Sequence, residues 1–275
     1  MEEDDPHLKA VILARGLGTR MRQPDPGTAI SREQATVAAT GLKAMIPTAA
    51  GRPFLDYVVS SLADAGYRDI CLVIGPEHQV VRDHYARVPL QRVRIAFAVQ
   101  EHPKGTADAV LAAEGFAGGD PFIVLNADNL YPVEVLAGME RLGEPGLPGF
   151  SARALLADGQ IPPERLARFA VLDVGDDGYL RRVIEKPDAS TLATFGPDPV
   201  ISMNLWRFDT GIFDACRTIG PSPRGELELQ AAVQVAIERR TRFRVFPVRA
   251  GVLDLSSRGD IAVVAERLNG MKVDL

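Results

Sequence analysis

The sequence has few cysteines, no long apolar run and no excess of positive charge. Only two cysteines occur among 275 residues, Cys71 and Cys216, and both lie in apolar surroundings. We therefore expect buried, reduced thiols, which are typical of a cytoplasmic protein. The acidic stretch MEEDDPHLK lacks an apolar core and does not indicate a signal peptide. No stretch is long and apolar enough to predict a membrane span.

The charge balance argues against two classes of partner. The chain carries 31 Lys and Arg residues against 36 Asp and Glu residues, a formal net charge of −5. We therefore expect neither nucleic acid nor a membrane surface as a partner, because both attract proteins with a strong positive excess. With 46% hydrophobic and 24% charged residues, the composition is that of a globular protein with a sizeable core.

The first half of the chain alternates apolar, strand-like runs with segments of helical length. The runs are KAVIL, DICLVI, VRIAFAV and PFIVL. Strands separated by helices in this way predict right-handed βαβ units and a largely parallel sheet with helices on both faces. The predicted fold class is therefore α/β.

The second half has a different pattern. The runs FSARALL, RFAVLDV, YLRRVIEK and VISMNLWRF are strand-like and separated by short turns, which predicts some antiparallel pairing. GELELQAAVQVAIERR and SSRGDIAVVAERLNG are predicted helices. Because no repeat or linker interrupts the chain, we predict a single domain over residues 1–275, with a first half at about 1–145 and a second at 146–275.

One segment, residues 23–41, does not fit this alternation. It is polar, contains two prolines and interrupts the first connection between strand and helix. This composition argues against a packed element, and long loops in compact domains are often lids or disordered. We expect a loop that is mobile without ligand and more ordered with bound nucleotide.

Small, polar and acidic residues follow three of the predicted strands. ARGLGTRMR follows the first strand, QEHPKGTADAV follows VRIAFAV, and NADN follows PFIVL. In an open parallel sheet, ligands bind beyond the carboxyl ends of the strands. The three loops therefore predict one binding site at this edge of the sheet.

The first of these loops has the composition of a phosphate site. Gly16 and Gly18 allow close backbone approach and an anion-binding nest, and Arg20 adds a fixed positive charge. No Gly-Lys-Ser/Thr follows, and Met21 occupies the third glycine position of the dinucleotide fingerprint, so neither motif is complete. Gly-x-Gly also occurs in ordinary turns, and Thr19 with Arg20 favours the phosphate interpretation.

Two acidic and two basic residues complete the candidate site. Asp128 and Asp254 lie near strand ends, where carboxylates can bind Mg²⁺, although both also suit turns or helix caps. Lys43 precedes AMIP after segment 23–41. Lys186 lies in IEKPD, where the proline fixes the turn that directs the lysine; an isolated surface lysine is more often only solvated.

The motifs together resemble the nucleotidyltransferase family that makes sugar nucleotides, which includes glucose-1-phosphate thymidylyl- and uridylyltransferases. The motifs are ILARGLGTRMR, LKAMIPTAAGRPFLDYVV, GTADAV, VLNADN, RRVIEKP and GVLDLSSRGDI, in the family's order over nearly the whole chain. The resemblance implies a three-layer Rossmann-like fold with an antiparallel-rich, sugar-binding half. It also implies that an NTP and a sugar 1-phosphate react, with Mg²⁺ as cofactor, to give an NDP-sugar and pyrophosphate.

The resemblance also implies residue roles. The nucleotide would be bound by Leu13, Ala14, Gly16, Gly18, Thr19, Arg20, Gln100, Gly105 and Thr106. The sugar phosphate would be bound by Glu185, Lys186 and Asn204. The catalytic residues would be Arg20, Lys43 and Asp128, and the Mg²⁺ ligands would be Asp128 and Asp254.

Two residues depart from the family pattern. Arg15 replaces the second alanine of the first motif, and Ala170 replaces a glycine that many members carry after a tyrosine. The second change leaves room for another acceptor, such as a cyclitol phosphate or phosphocholine.

Two other functions are less well supported by the sequence. A non-catalytic homologue would be indicated by the loss of a catalytic residue, and none is lost. A nicotinamide-dependent oxidoreductase is disfavoured by the incomplete fingerprint and by the acidic site at Asp128. The sequence does not decide which base and which acceptor are used, or whether the protein forms a homo-oligomer. We expect no fused acyltransferase or C-terminal β-helix.

Overall fold

A computed structural model describes residues 8–16, 18–23, 30–48, 51–159 and 161–275. Its strands, in chain order, are β1 (Lys9–Leu13), β2 (Asp69–Ile74), β3 (Arg94–Val99), β4 (Phe122–Asn126), β5 (Asn129–Leu130), β6 (Gly146–Ser151), β7 (Ala170–Val174), β8 (Leu180–Ile184), β9 (Val200–Ser202), β10 (Trp206–Phe208), β11 (Arg244–Val248) and β12 (Leu253–Asp254). Its α-helices are α1 (Thr19–Arg22), α2 (Arg32–Thr40), α3 (Phe54–Asp64), α4 (Gln79–Arg87), α5 (Thr106–Ala112), α6 (Glu114–Ala117), α7 (Val133–Arg141), α8 (Ala152–Asp158), α9 (Pro163–Leu166), α10 (Ala189–Ala193), α11 (Gly211–Thr218), α12 (Leu229–Glu238) and α13 (Asp260–Leu268).

The first half forms the parallel sheet that its apolar runs predict. The strands lie in the order β3-β2-β1-β4, and each neighbouring pair is parallel. The carboxyl ends of β1, β3 and β4 therefore meet at one edge of the sheet. The loops that follow these strands carry the predicted site residues, so the topology brings those loops together.

The second half extends the same sheet with mainly antiparallel pairs. β10 pairs with β4 and continues the order through β6, β9, β7 and β8, while β11 pairs in parallel with β6. A separate two-stranded ribbon joins β5 to β12, with Asp254 opposite Asn129. The mixed sheet, whose first half is a parallel core, confirms the predicted fold class.

Two helical layers cover the sheet because successive side chains of a strand point to opposite faces. In β1, Ile12 belongs to a buried cluster that includes residues of α3, α7 and α13, whereas Val11 belongs to a second cluster that includes residues of α5, α11 and α12. Both cysteines, Cys71 and Cys216, are buried in the second cluster and form no disulfide. Burial raises the pKa of the Cys71 thiol to about 12. None of the described helices has the length and hydropathy needed to cross a bilayer.

Segment 23–41 contains a helix that its composition did not predict. Helix α2 begins after Ser31, whose Oγ accepts a hydrogen bond from the Gln34 backbone nitrogen at 3.1 Å. In return, the Gln34 side chain accepts from the Ser31 backbone nitrogen at 2.9 Å, which completes a capping box. The expectation of an unstructured loop was therefore wrong for residues 32–40, while residues 24–29 lie outside the described residues.

Two strand predictions in the second half were also wrong. In FSARALL, β6 ends at Ser151, and the following residues form α8 because the Ser151 hydroxyl caps that helix by accepting from the Ala154 nitrogen. VISMNLWRF is not one strand but two, β9 and β10. The break falls at Asn204, whose φ of 59° lies in the left-handed region and is incompatible with a continuous strand.

Candidate active site

A cavity of about 270 Å³ lies at the carboxyl ends of β1, β3 and β4. Eight of the predicted site residues line it: Leu13, Ala14, Gly16, Lys43, Gln100, Gly105, Thr106 and Asp128. These residues come from four separate stretches of the chain. The structure therefore brings the predicted strand-end loops together around one concave space, the kind of space in which small ligands bind.

The first loop is held tightly where it leaves β1. The Ala14 nitrogen donates to the Val73 carbonyl at 2.9 Å, which keeps the start of the loop against β2. Gly18 has a φ of 57°, and a Cβ atom at this position would lie 2.6 Å from Gly41 Cα. Only glycine allows this approach, by which the first loop contacts the end of α2, two residues before Lys43.

Thr19 and Arg20 lie beside the cavity rather than in its wall. Both are exposed on the four-residue helix α1. Arg20 makes no hydrogen bond or ion pair with other residues in the described part of the chain. Its guanidinium is therefore available to a ligand that extends out of the cavity.

An ion pair between Lys43 and Asp128 forms part of the cavity wall. Lys43 lies in the short 3₁₀ helix Lys43–Met45, and Asp128 follows β4. Lys43 Nζ is 2.9 Å from Asp128 Oδ2, and the two side chains are 16% and 23% exposed. Both charges are thus partly shielded from water, and their mutual attraction is stronger than it would be in bulk solvent.

Asp254 lies next to this pair through the β5–β12 ribbon. The Leu255 nitrogen donates to the Asp128 carbonyl at 2.9 Å, and Asn129 Nδ2 donates to Asp254 Oδ1 at 3.3 Å. Ser256 Oγ donates to the same carboxylate at 2.8 Å. Burial, together with the negative charge of Asp128, raises the pKa of Asp254 to about 6. The two carboxylates therefore repel each other in the absence of a further cation.

Arg165 is a candidate site residue that the sequence did not reveal. It lies on α9, forms an ion pair with Asp254, and contacts Asp260 at 2.5 Å between Nη1 and Oδ1. Its side chain is only 13% exposed. The local sequence PPERLA carries no motif, so the pairing follows only from the folding of α9 against the start of α13.

The chemistry of the two carboxylates fits Mg²⁺. Mg²⁺ often takes one or two carboxylates from a protein and completes its coordination with phosphate oxygens and waters. Asp128 and Asp254 supply that number, and their mutual repulsion would be relieved by a divalent cation. Within the described residues, no three His, Cys, Asp or Glu side chains cluster closely enough to hold a metal alone. The donor set therefore suits an ion that shares its shell with substrate oxygens.

The predicted acceptor residues lie outside the cavity wall. Lys186 and Asn204 both have positive φ angles, 44° and 59°, a strained conformation for residues other than glycine. Asn204 Oδ1 accepts from Gln230 Nε2 at 3.0 Å. Desolvation and the negative charge of Glu228 raise the pKa of Glu185.

Residues 222–230 connect the acceptor residues to the cavity. Gln230 is hydrogen-bonded to Asn204, and the charge of Glu228 acts on Glu185. Glu226 of the same stretch lines the cavity. Thr106, predicted to lie near the base, uses its hydroxyl to accept from the Leu229 nitrogen at 2.9 Å. Thr106 therefore also fixes the start of α12 against the cavity wall.

The two departures from the family pattern are both in packed positions. Arg15 lines the cavity, and its side chain lies 3.2 Å from Glu77 and donates to the Gln100 carbonyl. It therefore connects the end of β1 to the end of β3. Ala170 is buried in β7 opposite Ser202.

Comparisons with known proteins agree with this architecture. Residues 9–251 match the nucleotidyl transferase family model. The low-salt glycan biosynthesis nucleotidyltransferase Agl11 of Haloferax volcanii is 30% identical over 240 residues, which cover 84% of this chain and 57% of Agl11. The UTP–glucose-1-phosphate uridylyltransferase AglF of the same organism is 26% identical over 261 residues, which cover 95% of this chain and 96% of AglF. This chain thus spans little more than half of Agl11 but nearly all of AglF.

A solved structure of UDP-glucose pyrophosphorylase complexed with UDP-glucose shares the fold. Its TM-score is 0.72 at 18% identity, and the match covers 97% of this chain and 100% of that chain. The Rossmann-like fold implied by the motifs is thereby confirmed. The family match over most of the chain, with relatives named as sugar-1-phosphate nucleotidyltransferases, confirms the resemblance: this chain belongs to the nucleotidyl transferase family.

Proposed function

We propose that this protein transfers a nucleotidyl group from an NTP to a sugar 1-phosphate, releasing pyrophosphate and forming an NDP-sugar. The observation that carries this proposal is the cavity wall itself. The wall contains a glycine loop and the Lys43–Asp128 pair, and the β5–β12 ribbon holds the Asp254 carboxylate next to Asp128. A family member with this set of residues has the charges that the reaction needs.

The nucleoside would lie against the loop after β1 and the loop after β3. Leu13, Ala14 and Gly16 of the first loop and Gln100 and Gly105 of the second all line the cavity. The triphosphate would extend along Gly18 and Thr19 toward the exposed Arg20.

Transfer would proceed by in-line attack of the acceptor's phosphate oxygen on the α-phosphorus. Such a reaction needs positioning and charge neutralisation rather than a covalent nucleophile. Lys43 would neutralise charge at the reacting phosphate, and Arg20 would stabilise the leaving pyrophosphate. Asp128 and Asp254 would hold Mg²⁺, which supplies further charge neutralisation when it is bound.

The acceptor would be bound by Glu185, Lys186 and Asn204. The hydrogen bond of Asn204 with Gln230 and the influence of the Glu228 charge on Glu185 support a position beside the nucleotide, because Glu226 of the same stretch lines the cavity. Lys186 would contact the acceptor's phosphate, while Glu185 and Asn204 would contact sugar hydroxyls. The two buried, unpaired thiols support a reducing, cytoplasmic location.

A substrate panel tests the proposal. Each of UTP, dTTP, GTP, ATP and CTP is combined with a set of sugar 1-phosphates, a cyclitol phosphate and phosphocholine in the presence of Mg²⁺. We expect pyrophosphate release that requires both substrates and is fastest with a sugar 1-phosphate. Preference for phosphocholine or the cyclitol phosphate would replace the proposed acceptor, and absence of release with every pair would indicate a non-catalytic homologue.

A further inference from the structure

The carboxamide of Gln100 is held in one orientation by two neighbours. Gln100 is 4% exposed and follows β3. Its Nε2 donates to the Gly105 carbonyl at 3.0 Å and to Asp108 Oδ2 at 2.8 Å. A backbone carbonyl and a carboxylate can only accept hydrogen bonds, so the oxygen of the amide cannot take the place of its nitrogen.

Both partners of the amide are themselves held in place. Asp108 lies in the first turn of α5. Gly105 has a φ of 120°, and its Cα packs directly against the backbone of Leu227. The hydrogen bond to Asp108 is also charge-assisted, which makes it the stronger of the two.

The other end of the carboxamide faces the cavity. Both amide hydrogens are used, and no group in the described part of the chain donates to Gln100 Oε1. Gln100 lines the cavity, and Oε1 is not among the buried polar atoms that lack a partner. Oε1 is therefore open to the cavity as a hydrogen-bond acceptor. A ligand that covers it without offering a donor leaves a buried acceptor unpaired, which is costly.

We propose that Asp108 is a positioning residue that commits Gln100 to act as an acceptor, so that the site requires an N–H donor on the edge of the nucleobase. The inference rests on the proposed nucleotide site. Asp108 does not line the cavity, so it acts only through the orientation of Gln100. Without Asp108, one neutral hydrogen bond to Gly105 remains, and the amide is free to rotate and present Nε2 to the cavity.

Binding of modified nucleotides tests this role. Dissociation constants are measured by calorimetry for UTP, GTP, ATP and CTP. They are compared with N3-methyl-UTP, N1,N2,N2-trimethyl-GTP, N6,N6-dimethyl-ATP and N4,N4-dimethyl-CTP, whose edge N–H groups are blocked. For the nucleotide that binds most tightly to the wild-type protein, we expect blocking to weaken binding by about 10-fold or more, the effect of an unpaired buried acceptor.

Variants of Asp108 separate positioning from general stability. In Asp108→Ala, we expect the penalty for blocking to shrink to within about 3-fold, because a rotated amide no longer needs a donor. Asp108→Asn should keep most of the penalty, because its side-chain oxygen still accepts from Nε2. The matched control is Asp83→Ala, which removes a hydrogen bond of the same 2.8 Å length from Gln79 Nε2 on the exposed side of α4. This control should keep the wild-type penalty.

The outcomes distinguish the inference from the proposed function. If no nucleotide binds, the proposed function fails, and the inference fails with it. If nucleotides bind but blocking has no effect in the wild-type protein, the inference is overturned and the proposed function stands. An undiminished penalty in Asp108→Ala would show that Asp108 does not set the orientation of Gln100.

Discussion

Replacing Gly105 by alanine should destabilise the wall of the cavity. With φ at 120° and ψ at 179°, Gly105 occupies a backbone region that is essentially restricted to glycine, and other residues there cost about 1–3 kcal/mol. The new Cβ would also lie 2.5 Å from the Leu227 oxygen and 2.6 Å from the Leu227 nitrogen. These are backbone atoms, so they cannot rotate away as a side chain would.

The displaced Leu227 backbone makes two hydrogen bonds that the substitution would weaken. Its nitrogen donates to the Lys104 carbonyl at 2.7 Å, and its oxygen accepts from the Ala107 nitrogen at 2.9 Å. Each contributes about 0.5–1.5 kcal/mol. Added to the backbone strain, their loss predicts that Gly105→Ala lowers the free energy of unfolding by roughly 3 kcal/mol.

Urea denaturation measures this change, and a second glycine provides the control. Gly115 lies within helix α6, and a Cβ atom there would meet nothing within 4 Å. Gly115→Ala should therefore raise the free energy of unfolding by about 0.5–1 kcal/mol, because alanine favours helices. Nucleotide affinity should fall in the Gly105 variant and stay unchanged in the control. A Gly105→Ala protein as stable as the wild type would refute the close packing described here.

Three further predictions concern charged residues. Lys186→Ala should raise the KM of the acceptor more than that of the NTP, whereas Lys43→Ala should mainly lower kcat. An unchanged acceptor KM in Lys186→Ala would indicate that IEKP is only a structural turn. Arg165→Met should lower the free energy of unfolding in EDTA by about 3 kcal/mol, because it leaves buried carboxylates unpaired. Mg²⁺ should stabilise this variant more than the wild type, and equal stabilisation would separate Arg165 from the metal site. In EDTA, the raised pKa of Asp254 means that the folded state binds the proton of this carboxyl group more tightly than the unfolded state does. The contribution of Asp254 to the free energy of unfolding therefore falls as the pH rises from about 4 to about 6. Asp254→Asn should remove that part of the pH dependence, and identical denaturation profiles against pH would contradict the burial of an ionisable group there.

The sheet and the position of the site could be predicted from sequence because their signals are local. Runs such as DICLVI are apolar on both faces, as buried parallel strands must be, and parallel strands place their following loops at one edge. That geometry brought Gln100 and Asp128 to the same cavity without any contact being known in advance.

The elements that were predicted wrongly depend on interactions that composition does not reveal. The polar residues and prolines of segment 23–41 did not predict a helix, yet α2 begins there with the reciprocal hydrogen bonds of Ser31 and Gln34. In FSARALL, the change from strand to helix depends on the cap at Ser151 rather than on hydrophobic periodicity. Arg165 has no local signal, because its partner Asp254 lies 89 residues away in sequence.

The fate of the α-phosphorus tests the central claim most directly. The purified protein is incubated with Mg²⁺, the preferred sugar 1-phosphate and its NTP labelled with ³²P at either the α- or the γ-phosphate. Asp128→Asn, checked for folding by circular dichroism, serves as the control. We expect the α-label in the NDP-sugar and the γ-label only in pyrophosphate, and we expect the variant to form neither product at a comparable rate. Transfer of γ-label to the sugar phosphate, or release of α-label only as free nucleoside monophosphate, would contradict nucleotidyl transfer.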